Sequence, residues 1–192
     1  MKKVIILSGT PGTGKTTIAK ILSEALNANL IDINKEVIEN QFYTFDSERE
    51  TKIADIKKLK KHLKKIIQEI HSEYILVEGH YADILPDELV YKAIILRTHP
   101  EILKKRLEQK KFSGKKISEN LQAEILGDCS SHAYESYKAN KIYELNTSKI
   151  SIDKTINILI ALIKNDKSSY QLEKIDWLED LEKNKSLNKY FD

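Results

Sequence analysis

The chain has 192 residues, 41% of them hydrophobic, and a formal net charge of +3 at pH 7. This length and composition are typical of a folded globular protein made of one domain, or of a domain with an appendage, that is long enough to bury a proper core. A single cysteine excludes an internal disulfide and argues against a cysteine-based zinc site. The sequence has no run of about 18 apolar residues, so we expect an intracellular, cytoplasmic protein that does not contact membranes.

A glycine-rich loop follows the first apolar run of the chain. Residues 4–7 read Val-Ile-Ile-Leu, and residues 9–16 match the pattern Gly-x-x-x-x-Gly-Lys-Thr. A buried strand, a loop whose backbone N–H groups can surround phosphate oxygens, and a helix N-terminus together form a nucleotide site. The alternative is a chance glycine-rich turn. The apolar run before the loop and the helical spacing of Ile18, Ile21 and Leu22 after it favour a P-loop.

The residue types of this loop predict how it would hold ATP and Mg²⁺. Gly12 and Gly14 allow the backbone to close around phosphates. Lys15 would neutralise the β- and γ-phosphates, and the Thr16 hydroxyl would coordinate Mg²⁺. Thr17 comes next in the sequence, within reach of the α-phosphate. We therefore expect ATP and Mg²⁺ to bind here.

Strands alternate with helices along the rest of the chain, which predicts an α/β fold. Apolar runs at residues 28–33, 74–78, 91–97 and 142–145 are predicted strands, with amphipathic helices between them. This alternation indicates a P-loop NTPase with a doubly wound, five-stranded parallel sheet and helices on both faces. One long helix is predicted over residues 117–137.

The predicted strand ends place further polar side chains near the P-loop, because ligands of such sheets bind at the carboxyl ends of the strands. Glu78 would order the water shell of Mg²⁺ there. His80 would orient an acceptor phosphate or, without an acceptor, a water; alternatively, it is a turn histidine satisfied by backbone groups. Arg97, Arg106 and Lys110 are cationic candidates at the phosphates, although Arg106 could equally be a surface residue of its helix.

The sequence predicts one main domain followed by a short tail. Residues 1–164 are predicted to form the kinase-like domain, in which residues 34–56 would bind a second substrate and residues 109–119 would form a short basic lid. Residues 165–192 are predicted to be a linker and a helical tail that docks on the domain or on a partner. The lysines of the helix at residues 56–70 suggest a nucleic-acid surface or, more commonly, a solvated helix face, and we expect no sequence-specific nucleic-acid binding.

The motifs resemble those of one family, the adenylate-kinase-like ATPases of archaea and eukaryotes, whose eukaryotic member is the coilin-interacting nuclear ATPase. The resemblance runs from Lys3 to about Lys164. A P-loop by itself is generic, whereas the later motifs are much more specific in this order and spacing. The resemblance rests on residues 9–17, 78–80, 96–98, 106–108, 115–117 and 120–127.

This resemblance implies a broad-specificity nucleoside monophosphate kinase that transfers phosphate from ATP to AMP-like acceptors and also hydrolyses ATP. It further implies a role in late maturation of the small ribosomal subunit, through the pre-ribosome and a ribosomal protein of the subunit's platform. Lys149 resembles the position with which the family contacts the base.

Two positions depart from the family pattern. Eukaryotic members have Asp-x-His where Glu78-Gly79-His80 stands, and Arg-Gly where Lys110-Lys111 stands. Glu78 is one methylene longer than aspartate and is still a carboxylate that can hold Mg²⁺ through water. Lys110 keeps the positive charge of arginine and loses its bidentate fork.

Two other interpretations stay open. A kinase for a non-nucleotide small molecule would use Asp32 and Asn34 to bind hydroxyls. An assembly factor whose nucleotide site only switches its grip on a ribosomal partner would hydrolyse ATP slowly without acceptor turnover. A GTPase is excluded, because the sequence lacks the Asn-Lys-x-Asp and Asp-x-x-Gly motifs.

Overall fold

The structure, a computed structural model, describes residues 2–47, 51–81, 83–164 and 175–191. The predicted linker at residues 165–169 lies outside them. No helix in the described part of the chain has the length and apolar content needed to cross a membrane. The elements, in chain order, are β1 (Lys3–Ser8), α1 (Lys15–Leu26), β2 (Asn29–Asp32), α2 (Ile33–Glu39), β3 (Tyr43–Asp46), β4 (Thr51–Ala54), α3 (Ile56–Glu69), β5 (Tyr74–Glu78), β6 (Val90–Arg97), α4 (Pro100–Gln109), α5 (Gly114–Leu126), α6 (Asp128–Ser136), β7 (Ile142–Asn146), α7 (Ile152–Lys164) and α8 (Trp177–Lys183).

Five strands form a parallel sheet in the order β2-β5-β1-β6-β7. The chain runs from β1 to the β2 edge, returns to β5 beside β1, and then crosses to β6 and β7. The carboxyl ends of β1, β5 and β6 therefore meet where the winding direction changes, which is where such sheets bind ligands. The predicted doubly wound, five-stranded P-loop fold is confirmed.

Two apolar cores cover the two faces of the sheet, because successive residues of a strand point to opposite sides. Ile6 and Val77 belong to the core that contains residues of α3 and α6. Ile5 and Leu76 belong to the core that contains residues of α1 and α7. Helix α3 buries an apolar face, with most of its lysines exposed on the other side, as a solvated amphipathic helix does.

The prediction of one helix over residues 117–137 is wrong, since the structure has two helices there, α5 and α6. Gly127 ends the first of them with a φ of 69°, in the left-handed region that glycine adopts readily. Its backbone N–H binds the carbonyl oxygens of Ala123 and Glu124, which closes the last turn of α5. The chain then changes direction and begins α6.

The segment predicted to bind a second substrate and the segment predicted to form a lid contain more regular structure than the sequence indicated. Residues 34–56 hold most of α2 and an antiparallel hairpin made of β3 and β4. Within the segment assigned to the basic lid, residues 109–119, α5 already begins at Gly114. Ser113 caps this helix by accepting a hydrogen bond from the backbone N–H of Lys116. Only a short turn therefore separates α4 from α5 in the segment assigned to the lid.

The tail from residue 175 packs against the domain. Leu181 and Tyr190 are buried in an apolar cluster with residues of α4 and α5, among them Leu103 and Leu107. The side-chain amide of Gln122 on α5 also donates a hydrogen bond to the backbone carbonyl of Tyr190, 2.9 Å away. The tail thus covers an apolar side of α4 and α5.

Candidate active site

The P-loop joins β1 to α1 through a backbone that requires glycine. Gly12 and Gly14 have φ values of 94° and 101°, which L side chains rarely adopt. A Cβ on Gly12 would also lie only 2.8 Å from Cδ1 of Leu103. Because α1 begins at Lys15, the loop leads directly into a helix N-terminus, where the exposed N–H groups favour a bound anion.

Lys15 occupies the centre of this loop. Its side chain is nearly buried, and its Nζ donates hydrogen bonds to the carbonyl oxygens of Gly9 at 2.6 Å and Thr10 at 3.1 Å. Desolvation lowers the pKa of Lys15 from its ordinary value, while the nearby carboxylate of Glu78 acts in the opposite direction. The ammonium group is therefore held against the loop by backbone oxygens, in the position from which it can reach a phosphate.

An oxygen-rich group of side chains lies next to the lysine. The Thr16 hydroxyl donates a hydrogen bond to Oε1 of Glu78 at 3.1 Å. Asp32 ends β2 directly opposite Glu78 at the end of β5. Mg²⁺ in phosphate-transfer sites prefers one or two carboxylates together with a hydroxyl and substrate phosphates. These residues fit Mg²⁺, although the described residues contain no cluster of three or more histidine, cysteine or acidic side chains that would hold a metal by itself.

Burial and charge repulsion perturb the pKa of Glu78. The residue is only 2% exposed, so desolvation raises its pKa, and the negative charge of Asp32 raises it further. The hydrogen bond from Thr16 partly offsets this shift. Sequence reasoning gave Asp32 a role only in the alternative interpretation, as a ligand of hydroxyls. The signal that it missed is the register of β2 and β5, which places the two carboxylates side by side.

His80 follows β5 and lies close enough to Lys15 for the lysine's positive charge to affect its pKa. Desolvation and the positive charge of Lys15 lower the pKa of His80, so its imidazole is neutral at neutral pH. The ring stacks at 4.0 Å on the ring of Tyr81. Within the described part of the chain, its ring nitrogens have no hydrogen-bond partner.

Arg106 ties the P-loop to the loop that follows β7. One terminal nitrogen lies 3.5 Å from the carbonyl oxygens of Gly12 and Thr13, and the other lies 3.3 Å from that of Thr147. Arg106 is therefore part of the site and not a free surface residue of α4. Lys110, at the end of the same helix, lines the same cavity, and its charge contributes to the lowered pKa of Lys15.

Arg97 does not lie at the phosphate position that the sequence suggested for it. It is 2% exposed and forms ion pairs with Glu124 at 2.9 Å and Glu144 at 2.6 Å. The nitrogen that pairs with Glu144 also donates a hydrogen bond to the hydroxyl of Ser130 at 3.1 Å. The side chain is committed to buried carboxylates from α5 and β7, so the prediction of Arg97 as a phosphate ligand is corrected to a structural cation.

A cavity of about 350 Å³ opens beside the P-loop. Its walls come from the P-loop and the start of α1, from the end of α4, and from the residues that follow β7. Thr17 and Thr147 contribute to these walls, as does Ile150. Lys149 is exposed on the same loop and is not among the lining residues. The predicted residues that the structure gathers around this cavity and the neighbouring carboxylates are Gly12, Gly14, Lys15, Thr16, Thr17, Glu78, His80, Arg106 and Lys110.

Cys129 lies beneath the site and is expected to be unreactive in the native protein. It is 7% exposed, and desolvation raises its pKa to about 11, so very little thiolate exists at neutral pH. A thiol reagent such as DTNB should therefore leave the folded protein unmodified over minutes and label one thiol per chain after denaturation in guanidinium. Rapid labelling of the native protein would contradict this assignment.

Comparisons with known proteins agree with this architecture. A family model described as an AAA domain matches residues 5–127. A protein of Methanocaldococcus jannaschii, named "Putative adenylate kinase", is 34% identical over 189 residues, which cover 98% of this chain and 95% of that one. A protein of Saccharolobus islandicus with the same name is 38% identical over 159 residues, which cover 82% of this chain and 81% of that one.

Solved structures of shikimate kinases share the fold. The enzyme from Bacteroides thetaiotaomicron aligns with a TM-score of 0.59 at 20% identity, over 85% of this chain and 99% of that one. The enzyme from Acinetobacter baumannii, solved with shikimate, aligns with a TM-score of 0.60 at 17% identity, over 87% of this chain and 96% of that one. Together with the sequence matches, these likenesses establish a P-loop kinase fold, and the chain belongs to the archaeal family whose members carry the adenylate kinase name.

Proposed function

We propose that this protein is a nucleoside monophosphate kinase of broad specificity, which transfers the terminal phosphate of ATP to AMP-type acceptors in the presence of Mg²⁺. The observation that carries the proposal is the convergence of Lys15, Thr16 and Glu78 at the end of the parallel sheet. The names of the archaeal relatives support it. The segment of residues 34–56 also starts from this edge of the sheet, beside Asp32, where a second substrate would meet the nucleotide.

In this proposal the chain supplies position and charge, which phosphoryl transfer needs more than covalent chemistry. Residues 12–17 hold the ATP phosphates through backbone N–H groups, and Lys15 neutralises the transferring group. Thr16 and Glu78 hold Mg²⁺, which supplies charge neutralisation at the phosphate oxygens when it is bound. Arg106 and Lys110 are the cations that line the nucleotide cavity from α4.

The 350 Å³ cavity beside the P-loop is the proposed site for the base and ribose of ATP. Besides the cations of α4, its lining includes Ile150, Ile152 and Thr155, which carry no charge that would select one base. This composition supports a donor site with broad nucleotide specificity. Lys149, exposed on the same loop, stays a proposed base contact.

The acceptor is tested by a panel of compounds incubated with ATP and Mg²⁺. AMP, CMP, GMP, UMP and shikimate would be compared, with product formation followed by chromatography. Nucleoside diphosphates should form from the monophosphates, and Lys15→Ala should abolish them. The second candidate, a kinase for a hydroxyl-bearing small molecule, is favoured by the position of Asp32 beside Glu78. Phosphorylation of shikimate or a related polyol, with ADP as the by-product from ATP and no conversion of the added monophosphates to diphosphates, would replace the first proposal by the second.

We also propose that the same site hydrolyses ATP when no acceptor is present. His80 lies beside Lys15, its lowered pKa favours the neutral imidazole, and its ring nitrogens have no hydrogen-bond partner among the described residues, so it can accept a proton from water or orient it. His80→Ala should therefore lower ATP hydrolysis by about a hundredfold. It should weaken ATP binding by less than about threefold, since the P-loop holds the phosphates.

The hydrolysis prediction is checked by single-turnover measurements of phosphate release, with calorimetry for nucleotide affinity. His132→Ala is the matched control, because His132 is exposed on α6. Unchanged hydrolysis in His80→Ala would remove the proposed role of this histidine. A parallel loss of affinity and rate would instead indicate a binding role.

The motif resemblance supports a further proposal, a role in late maturation of the small ribosomal subunit through a platform ribosomal protein. A pull-down with the purified protein, performed with and without ATP, would measure it. Nucleotide-dependent recovery of one small-subunit protein is the expected result. A pure assembly factor would show this binding with slow hydrolysis and no acceptor turnover. Full kinase activity without any ribosomal protein in the pull-down would contradict the ribosomal role.

A further inference from the structure

Glu124 on α5 is a buried carboxylate that connects the P-loop to other parts of the chain. It is 1% exposed. Its Oε2 accepts a hydrogen bond from the hydroxyl of Thr10, in the P-loop, at 2.5 Å. Its Oε1 accepts from Nε of Arg97 and from the backbone N–H of Thr98, each at 2.9 Å. A third donor to Oε1 is Nε1 of Trp177 at 3.1 Å, so four hydrogen bonds converge on this carboxylate.

The surroundings of Glu124 make each of these donors important. Glu124 and Glu144 are both buried, and one cation, Arg97, pairs with both of them. A buried carboxylate without full hydrogen bonding is costly, because water cannot replace a missing donor. The indole N–H of Trp177 therefore helps to hold Glu124 in the position from which it accepts the Thr10 hydroxyl.

The tail brings Trp177 to this position through several contacts. The carbonyl oxygen of Ile175 accepts a hydrogen bond from Arg97 at 3.3 Å. The Trp177 ring packs edge-on against the ring of His99, with 5.2 Å between their centres. Leu181 anchors α8 in the apolar cluster that includes Leu103, whose Cδ1 leaves no room for a Cβ on Gly12. Hydrogen bonds and packing thus both link the tail to the P-loop.

We propose that Trp177 is a positioning residue of the nucleotide site, and that docking of the tail and binding of ATP are coupled through the path Trp177–Glu124–Thr10. The inference rests on the proposed function insofar as the P-loop is the ATP site. Thermodynamic linkage requires the coupling to be reciprocal: a docked tail favours ATP binding, and bound ATP favours a docked tail. Residues of the tail lie outside both the P-loop and the parallel sheet, and through this coupling they become determinants of nucleotide affinity.

The first test compares the ATP·Mg²⁺ affinity of three variants with that of the full wild-type chain by calorimetry. Trp177→Phe keeps an aromatic ring and loses the N–H donor, and Thr10→Val keeps the side-chain shape and loses the hydroxyl. Each should weaken ATP binding by about three- to tenfold, as expected when the net contribution of one ordinary hydrogen bond is lost. The ATP affinity of the double variant should equal that of whichever single variant binds ATP less tightly, because both changes interrupt the same path.

Lys183→Ala is the matched control, since Lys183 lies on α8 with a side chain that is 69% exposed and pairs only with Glu179 among the described residues. It should bind ATP as the wild type does. Circular dichroism and thermal unfolding without nucleotide would show that every variant is folded. Equal ATP affinity in Trp177→Phe and the wild type, or fully additive effects in the double variant, would overturn the coupling. Failure of the wild type itself to bind ATP would overturn the proposed function together with it.

The second test uses the emission of Trp177, which is the only tryptophan of the chain. ATP·Mg²⁺ should change this emission in the wild type, because the bound nucleotide fixes Thr10 and so alters the surroundings of the indole. Saturating ATP should leave the emission of Thr10→Val nearly unchanged, although calorimetry still detects binding. A tail with a purely structural role would give the same change in both proteins, and that result would contradict the inference.

Discussion

Lys15→Ala is expected to reduce phosphoryl transfer by at least about a thousandfold while leaving the protein folded. Lys15 is the one P-loop side chain whose charge can follow the transferring phosphate, and its Nζ already lies at the centre of the loop, bound to the carbonyl oxygens of Gly9 and Thr10. Alanine removes this charge without adding volume. The core of the sheet does not depend on the ammonium group, so the fold should persist.

The rate of diphosphate formation at saturating ATP and acceptor measures this effect. Lys20→Ala is the matched control, because Lys20 is exposed on the same helix and should turn over substrate at the wild-type rate. Circular dichroism should give the same spectrum for all three proteins. A Lys15→Ala protein that retains more than about a tenth of the wild-type rate would contradict the role of the P-loop lysine.

Glu78→Gln is expected to lower the rate by about a hundredfold and to raise the Mg²⁺ concentration needed for half-maximal activity. Glutamine keeps the size of the side chain and can still accept a hydrogen bond from Thr16, but it removes the negative charge that attracts the metal. Glu78→Asp keeps the carboxylate and reproduces the residue of the eukaryotic family pattern. It should retain activity within about tenfold of the wild type.

The pH dependence of the activity also tests the role of Glu78. Desolvation and Asp32 raise the pKa of Glu78, so its carboxylate becomes protonated at a higher pH than an ordinary glutamate does. Activity should fall as the pH is lowered through this raised pKa, and additional Mg²⁺ should shift the fall to lower pH. Glu78→Gln should lack this acidic limb. An identical limb in the wild type and in Glu78→Gln would assign it to another group.

The fold was predictable because its signals are local. The run of residues 4–7 and the loop of residues 9–16 define the first strand and the helix N-terminus without any other part of the chain. Strands β5 and β6 are apolar over most of their length, as strands covered on both faces must be. The break at Gly127 was also visible as a glycine in a helical pattern, but the apolar periodicity on both sides of it suggested one continuous helix.

Many of the candidate site residues could be predicted because they lie close to a strand end. Glu78 ends β5 and His80 follows it, so the topology of the sheet brings both residues to the P-loop. Arg97 also ends a strand, but its surroundings depend on Glu124 and Glu144, which come from a later helix and a later strand. A cation at a strand end can face a ligand or a buried carboxylate, and the pattern of the sequence does not distinguish the two.

The contact between Trp177 and Glu124 was the feature least predictable from the sequence. The two residues are separated by 53 positions. An amphipathic tail predicts that some apolar surface is covered, and the docked tail agrees with self-docking. It does not predict that the indole N–H reaches a buried carboxylate. Contacts of this kind depend on tertiary packing, which no periodicity encodes.

Titration of ATP·Mg²⁺ into the folded protein, followed by isothermal calorimetry, tests the central claim most directly, because every proposed activity requires the P-loop to hold this nucleotide. The account predicts binding of one ATP per chain, strengthened by Mg²⁺ and strongly weakened in Lys15→Ala. A well-folded protein that releases no heat of binding with ATP and Mg²⁺ would contradict it.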